Sequence, residues 1–512
     1  MIGANDKFQP TIDRRTLIGA AAANAFVLRV GNAFASSGNV AAIRKAVEAG
    51  YPASVARIQD WIRNPSIAAE NYQVEQGASY MMALARDAGF SNVERIATEG
   101  HPGVVGIMDN GADRWVGIYF MYDVKQFDAA EWSSPPLEAR IVDREGFGKA
   151  IMGRGATNQK GPEATFLAAL HAMREASVKP PVNIALICEG EEEIGSPHFR
   201  QVAQHPSIRP YLEKCLGVII PAGWQNPNGS VTINLGSKGI VELELIASGE
   251  KWGRGPEKDI HSSLKAQVDS PVWRLVEALS VLTKDGGNTP AIEGWFEKVR
   301  PLTKREKELI ALSAKATNEA DRQMALGVKH WIDDLSWEKS LERLASQPTV
   351  NIEGLVAGYT GPGGKTVLPA RAVAKLDLRL VPEMTVEDSL AKLKRHLAKQ
   401  GFADVEVVMS GGYDPTETAE ASAVIRAQQA VYARAGVINT LYPRNAGSWP
   451  GCVFTGAPLN LPAGQFGLGH GGGAHAPDEY YVIESTNSKV AGLVDATMGY
   501  VDFLYEMATI SV

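Results

Sequence analysis

Apolar positions change period along this chain, and the changes divide it into parts. Up to about Asn234, short apolar runs alternate with stretches of helical spacing. Residues 116–124 form an apolar, β-branched and aromatic run that predicts a strand, and residues 182–188 and 217–220 predict two more, short and buried. Residues 160–176 carry Phe166, Leu167, Leu170 and Met173 on one face of an amphipathic helix. Strands alternating with helices predict an α/β layer fold with a central, mainly parallel sheet.

From about Leu235 the texture differs. Residues 239–247 alternate, and Val272, Leu275, Val276 and Leu279 then recur at helical spacing. Residues 372–381 alternate again, with Leu376, Leu378 and Leu380 on one face and Lys375, Asp377 and Arg379 on the other. A helix follows at Thr385, with Asp388 placed as in a capping box. Two such strand–helix units predict a small α+β domain inserted into the larger one. The expected division is 36–235 and 411–512 for the larger domain and 236–410 for the insert. Residues 283–348, helical in pattern and rich in Lys, Glu and Trp, are read as an elaboration of that insert.

The N-terminus changes the picture. Arg14 and Arg15 precede a short apolar stretch, and Ala33 and Ala35 bracket a small-x-small cleavage site. Residues 1–35 therefore predict a twin-arginine-type signal peptide and a periplasmic or secreted protein. A net charge of −7 without a dense basic run argues against a nucleic-acid partner. No long apolar run in the body predicts a membrane span. Three cysteines, Cys188, Cys215 and Cys452, are too few for a disulfide framework, and their spacing suggests no zinc knuckle.

Four segments carry the chemistry: MYDVKQFDAAEW, MGRGATNQKGPE, CEGEEEIGS and GLGHGGGAHAPDE. Each follows a strand end or opens a helix, where α/β folds gather catalytic groups. If the strand alternation continues through Glu192 and Glu193, the two carboxyls point apart, so one can bind a cation while the other handles a proton. Asp123 lies in the same carboxylate-rich region, and Lys125 and Lys160 are candidate compensating cations. The plain alternatives are a solvent-facing Lys125 and a structural Lys160. His101, His198 and His470 read as incidental or structural, with His470 near enough to His475 in sequence to be recruited.

Together with DIHS, GPGGKTVLPA, RLVP and HAPDEYY, these segments resemble the M20 family of metallopeptidases and amidohydrolases, which includes carnosine dipeptidases, aminoacylases and glutamate carboxypeptidase. The likeness covers nearly all residues after the leader. It implies a catalytic α/β domain with an inserted ferredoxin-like lid that often mediates dimerisation, and hence a homodimer. It also implies two metal ions sharing a bridging aspartate. Carried over by position, Glu192 falls on the general base, Glu193 on a metal-binding glutamate and His475 on a late metal-binding histidine. The bridging aspartate falls on Asn158, the first metal histidine on Met121 and the remaining acidic ligand on Ala222. The first ion's site is thus deleted whole, which leaves either one zinc or manganese ion at Asn158, Glu193 and His475 or no metal. His261 matches a histidine that reaches a neighbouring subunit's site to steady the substrate oxyanion, and Arg379 an arginine that holds the substrate carboxylate.

The leading expectation is an exported hydrolase of a small amide, a dipeptide or N-acyl amino acid, with Glu192 as base. Asp123, His261 and Lys125 complete the expected catalytic set. Metal-independent acid–base chemistry on the same cleft and a non-catalytic protein that captures an amino-acid-like ligand are the alternatives.

Overall fold

A computed structural model of the chain describes residues 37–511. The segment read as an export leader lies outside them. The larger domain is built on a six-stranded sheet in the order Ser91–Ile96, Gly103–Met108, Asn183–Glu189, Trp115–Met121, Cys215–Pro221 and Ala463–Phe466. The last four strands run parallel to one another, and Gly103–Met108 pairs antiparallel with its neighbours. Every residue of Trp115–Met121 and Asn183–Glu189 is buried. Strands covered on both faces need no polar side, which is why they read as continuous apolar runs.

Alternation shows instead in where the side chains go. Val116, Ile118 and Phe120 enter a core beneath the helices Tyr51–Arg63, Gly161–Glu175 and Leu493–Thr509. Trp115, Tyr119 and Met121 enter a second core on the opposite face, with Phe199, Trp449 and Phe454. Gly161–Glu175 is buried around almost its whole circumference, so the amphipathic reading of that segment does not hold. It is sandwiched between the sheet and other helices, which leaves no solvent face for polar residues. All three cysteines are buried and free.

A second sheet, antiparallel, orders Gly471–Gly472, Tyr480–Ser485, Gly148–Met152 and Arg140–Arg144. Its register sets Tyr480 opposite Met152. That pairing lays the GRGATNQ turn beside the HAPDE loop, although some 320 residues separate them (Asn158 to His475 is 317).

The insert is a four-stranded antiparallel sheet in the order Thr349–Ala357, Arg371–Leu380, Gly239–Ser248 and Glu406–Tyr413. The helices Pro271–Ser280 and Val386–Lys399 pack on it through Leu275, Leu279, Leu393 and Leu397. This β-α-β-β-α-β arrangement is ferredoxin-like. Its last strand runs on to Tyr413, beyond the expected boundary at 410. Thr385 caps its helix by accepting the Asp388 N–H at 3.2 Å, while the Asp388 carboxylate turns to Lys392 at 2.9 Å instead of closing the box.

The helices Lys304–Ala316, Glu319–Leu326 and Trp337–Ser346 depart from expectation. They elaborate the larger domain's surface more than the insert. Ile310, Leu341 and Ala345 pack on Tyr442, and Leu309 joins the main core. Arg444 donates to the Ala345 carbonyl at 2.8 Å and pairs with Glu306, and Arg305 pairs with Glu420 at 2.7 Å. The segment leaves the lid and clamps onto the body beside it.

Candidate active site

The Trp115–Met121 strand ends where Tyr122 N–H donates to the Glu189 carbonyl at 2.9 Å. Asp123, 1% exposed, follows directly. Its two oxygens accept the backbone N–H of Glu192 at 3.2 Å and of Glu193 at 3.0 Å. Asp123 therefore holds the turn that carries both glutamates. Burial, then the Glu193 charge, pushes its carboxyl up to about 7 against the pull of those N–H donors.

The turn also corrects the strand-alternation argument. The strand stops at Glu189, and Glu192–Ile194 is a single 3₁₀ turn. The two glutamates still differ in environment. Glu193 is buried, and its Oε1 accepts Asn158 Nδ2 at 2.8 Å. Its Oε2 lies 3.2 Å from His475 Nε2 and 3.6 Å from Lys125 Nζ. Lys125 also donates to the Glu193 main-chain carbonyl. Glu192 is half-buried, and burial, then Glu193, Asp123 and Glu189, holds its carboxyl well above the ordinary range, with Lys125 pulling the other way.

Asn158 is placed by a residue to which the sequence motifs assigned no role. Glu479, fully buried, accepts the backbone N–H of Gly155 at 3.0 Å and of Thr157 and Asn158 at 2.9 Å. Its other partner is Arg154 Nη1 at 2.8 Å, and Arg154 Nη2 reaches the His475 carbonyl at 3.2 Å. One carboxylate thus fastens the GRGATNQ turn, and its arginine fastens the backbone at His475. The adjacent Arg154 in the GRGA motif and the final Glu of HAPDE were the available signals.

Asp123, Lys125, Asn158, Glu192, Glu193 and His475 form one cluster. Lys160 stands apart, fully buried, with its ammonium on the carbonyls of Trp61 at 2.9 Å and Asn64 at 3.3 Å. It is structural, and burial lowers it to about 7. Met121 belongs to the core, its N–H donated to Glu163 Oε1 at 2.8 Å. Ala222 is buried at the end of Cys215–Pro221. His261 is exposed on the lid, between Ser263 Oγ at 2.8 Å and Thr366 Oγ1 at 3.0 Å, and makes no contact with the cluster. Arg379 binds Asp377 at 2.8 Å and reaches from the lid to Ser448 Oγ at 3.2 Å. His198 pairs with Glu191 at 2.9 Å, and His101 lies at 3.2 Å from the Ala68 carbonyl. His470 stacks on Phe147 at 4.1 Å and contacts Tyr480 Oη at 3.0 Å, so its place is structural.

The sequence pattern of peptidase family M20/M25/M40 matches residues 121–498. This chain belongs to that family. It is 26% identical over 317 residues to the Cys-Gly metallodipeptidase of Schizosaccharomyces pombe, covering 61% of this chain and 63% of that enzyme. It is 29% identical over 296 residues to the human Beta-Ala-His dipeptidase, covering 56% of this chain and 54% of the relative. In structure it is similar to an M20 family metallo-carboxypeptidase from Sulfolobus solfataricus, with TM-score 0.77 and 30% identity over 89% of this chain and 98% of that one.

M20 metallopeptidases use divalent metals. Met121 lies in an apolar core and Ala222 offers a methyl group, so the first ion has no ligands from either. Among the described residues no three His, Cys, Asp or Glu side chains converge as a metal site. At the second position Asn158 turns its amide N–H toward Glu193, and an ammonium stands beside the same carboxylate. A dinuclear centre does not fit this M20 chain, and the donor set left at Glu193 is poor for a single ion.

Proposed function

We propose that this M20 protein is an exported hydrolase that cleaves the amide bond of a dipeptide or N-acyl amino acid, with Glu192 as general base. The observation that carries this reading is Glu192 itself. It is a half-buried carboxyl on the turn that Asp123 holds, beside a buried, hydrogen-bonded Glu193, and burial raises it above the ordinary carboxylate range. The dipeptidase relatives support the substrate class.

In this reading Glu192 takes a proton from water as the water oxygen bonds to the substrate carbonyl carbon. The same proton passes to the amine nitrogen as the carbon–nitrogen bond breaks, giving a carboxylic acid and an amine. Arg379, on the lid and within reach of Ser448 on the body, receives the substrate carboxylate when the lid closes. His261, exposed on the lid with Ser263 and Thr366 as its partners, serves a neighbouring subunit in this reading, which calls for a homodimer through the lid. The paired arginines of the leader support export.

The test is turnover of a panel of dipeptides and N-acyl amino acids, followed by mass spectrometry of the products. Release of amino acid by the native protein, with a loss of about 10²–10⁴-fold in kcat for Glu192→Gln, is the expected outcome. Turnover undiminished in Glu192→Gln would remove Glu192 from its role.

A further inference from the structure

We infer that the ammonium of Lys125 occupies the electrostatic place of a divalent ion at Glu193, so that this M20 centre works with a built-in organic cation and binds no metal. The inference deepens the hydrolase reading and rests on it for the cleft being the active centre.

Five contacts carry it. Lys125 Nζ lies 3.6 Å from Glu193 Oε2 and donates to the main-chain carbonyl of the same residue. It is thereby tied to Glu193 twice, whereas a solvated lysine would be free of it. A divalent ion on Oε2 would meet this ammonium as a like charge. Asn158 presents Nδ2, 2.8 Å from Glu193 Oε1 and 3.0 Å from His475 Nε2. The amide thus gives a hydrogen, not its oxygen, to the carboxylate that would otherwise ligate an ion. His475 Nε2 in turn lies 3.2 Å from Glu193 Oε2. Glu193 thus finds its partners in Asn158, His475 and Lys125.

Position adds a chemical consequence. The Lys125 side chain is 36% exposed while that of Glu193 is 3% exposed. The charge is therefore anchored at its inner side and exposed at its outer side. An ammonium has three hydrogens, and those not given to Glu193 can face a substrate carbonyl as its oxygen gains charge.

The experiment uses the full chain, expressed with zinc and manganese supplementation and desalted, with elemental analysis and zinc titration calorimetry near pH 7. The native protein is expected to retain well under one metal per chain and to keep its amide turnover in EDTA. Lys125→Met is expected to bind zinc at least about tenfold more tightly than the native protein, and Lys125→Arg to behave as native. Close to one zinc or manganese per native chain overturns the inference, and so does a Lys125→Met affinity no tighter than native. Should Lys125→Met fail to fold, the native metal content and Lys125→Arg still decide. A native protein that holds one zinc and hydrolyses dipeptides would sink this inference alone. A metal-free protein inert toward every amide would sink the hydrolase reading while leaving the cation's place intact.

Discussion

Replacing Glu479 by alanine tests how Asn158 and His475 are held. The Glu479 side chain is 1% exposed and that of Arg154 3%. Removing one member of such a buried pair leaves the other uncompensated, at a cost of about 3–5 kcal/mol. Three backbone N–H groups, of Gly155, Thr157 and Asn158, lose their acceptor at the same time. Each costs about 1–3 kcal/mol if left dry. Water entering the vacated space recovers part of that, so the loss for Glu479→Ala is set at about 4 kcal/mol or more. That is a large share of the roughly 5–15 kcal/mol that holds a typical domain. Glu479→Gln keeps one carbonyl oxygen and the shape but loses the charge, and about 2 kcal/mol is expected. Urea unfolding followed by tryptophan fluorescence and circular dichroism reads both. Pairing Glu479→Leu with Arg154→Met removes both charges and should recover only the share due to the uncompensated arginine, because the three N–H groups still lack their acceptor. A Glu479→Ala cost below about 1.5 kcal/mol would refute the reasoning, because the turn would then be held by something other than this carboxylate.

Asp123 makes a pH-dependent prediction. Its folded value of about 7 lies above the ordinary 3.8, so the native state binds more protons between those values. The stability this contributes is present below about pH 4 and is lost as pH rises through 7, in all roughly 4 kcal/mol as an upper figure. Asp123→Asn should therefore gain on the native protein between pH 5 and pH 8 in urea unfolding, and parallel pH profiles would count against it. Arg379→Met should raise KM for substrates bearing a free carboxylate by about tenfold or more, with less effect on the matching amides. Equal effects on both substrate classes, together with a lowered Tm, would reassign Arg379 to its ion pair with Asp377.

The parallel strands were legible because burial on both faces leaves an uninterrupted apolar run, and the lid strands because alternation marks a half-covered sheet. The cluster at Glu193 was legible from motif positions, since each motif ends a strand or opens a helix. What holds the cluster was not. Arg154 and Glu479 are 325 residues apart, and no local period relates them. The reading of Glu192 and Glu193 as alternating strand residues failed because Asp123, from another strand end, captures their N–H groups and curls the segment. Within 283–348, Ile292 and Trp295 do pack into the lid core, but adjacency in sequence also assigned the helical stretch 304–346 to the lid. Its seat on Tyr442 and Arg444 is a tertiary matter of apolar and charged partners more than 90 residues away.

Charge balance links the altered positions. Two divalent ions carry four positive charges, and the family resemblance places carboxylates where Asn158 and Ala222 now stand. Two negative charges have therefore left with the ions, and Lys125 returns one positive charge at Glu193. Three of the four units are offset, and the fourth falls on Asp123, Glu189, Glu192 and Glu193. Burial and mutual repulsion raise Asp123 to about 7 and hold Glu189 and Glu192 well above the carboxylate range. The remaining unit thus bears on carboxyls that burial already raises. On the inference drawn above, Met121, Asn158 and Ala222 make one change of electrostatic design, in which the Lys125 ammonium takes the place of an ion at Glu193.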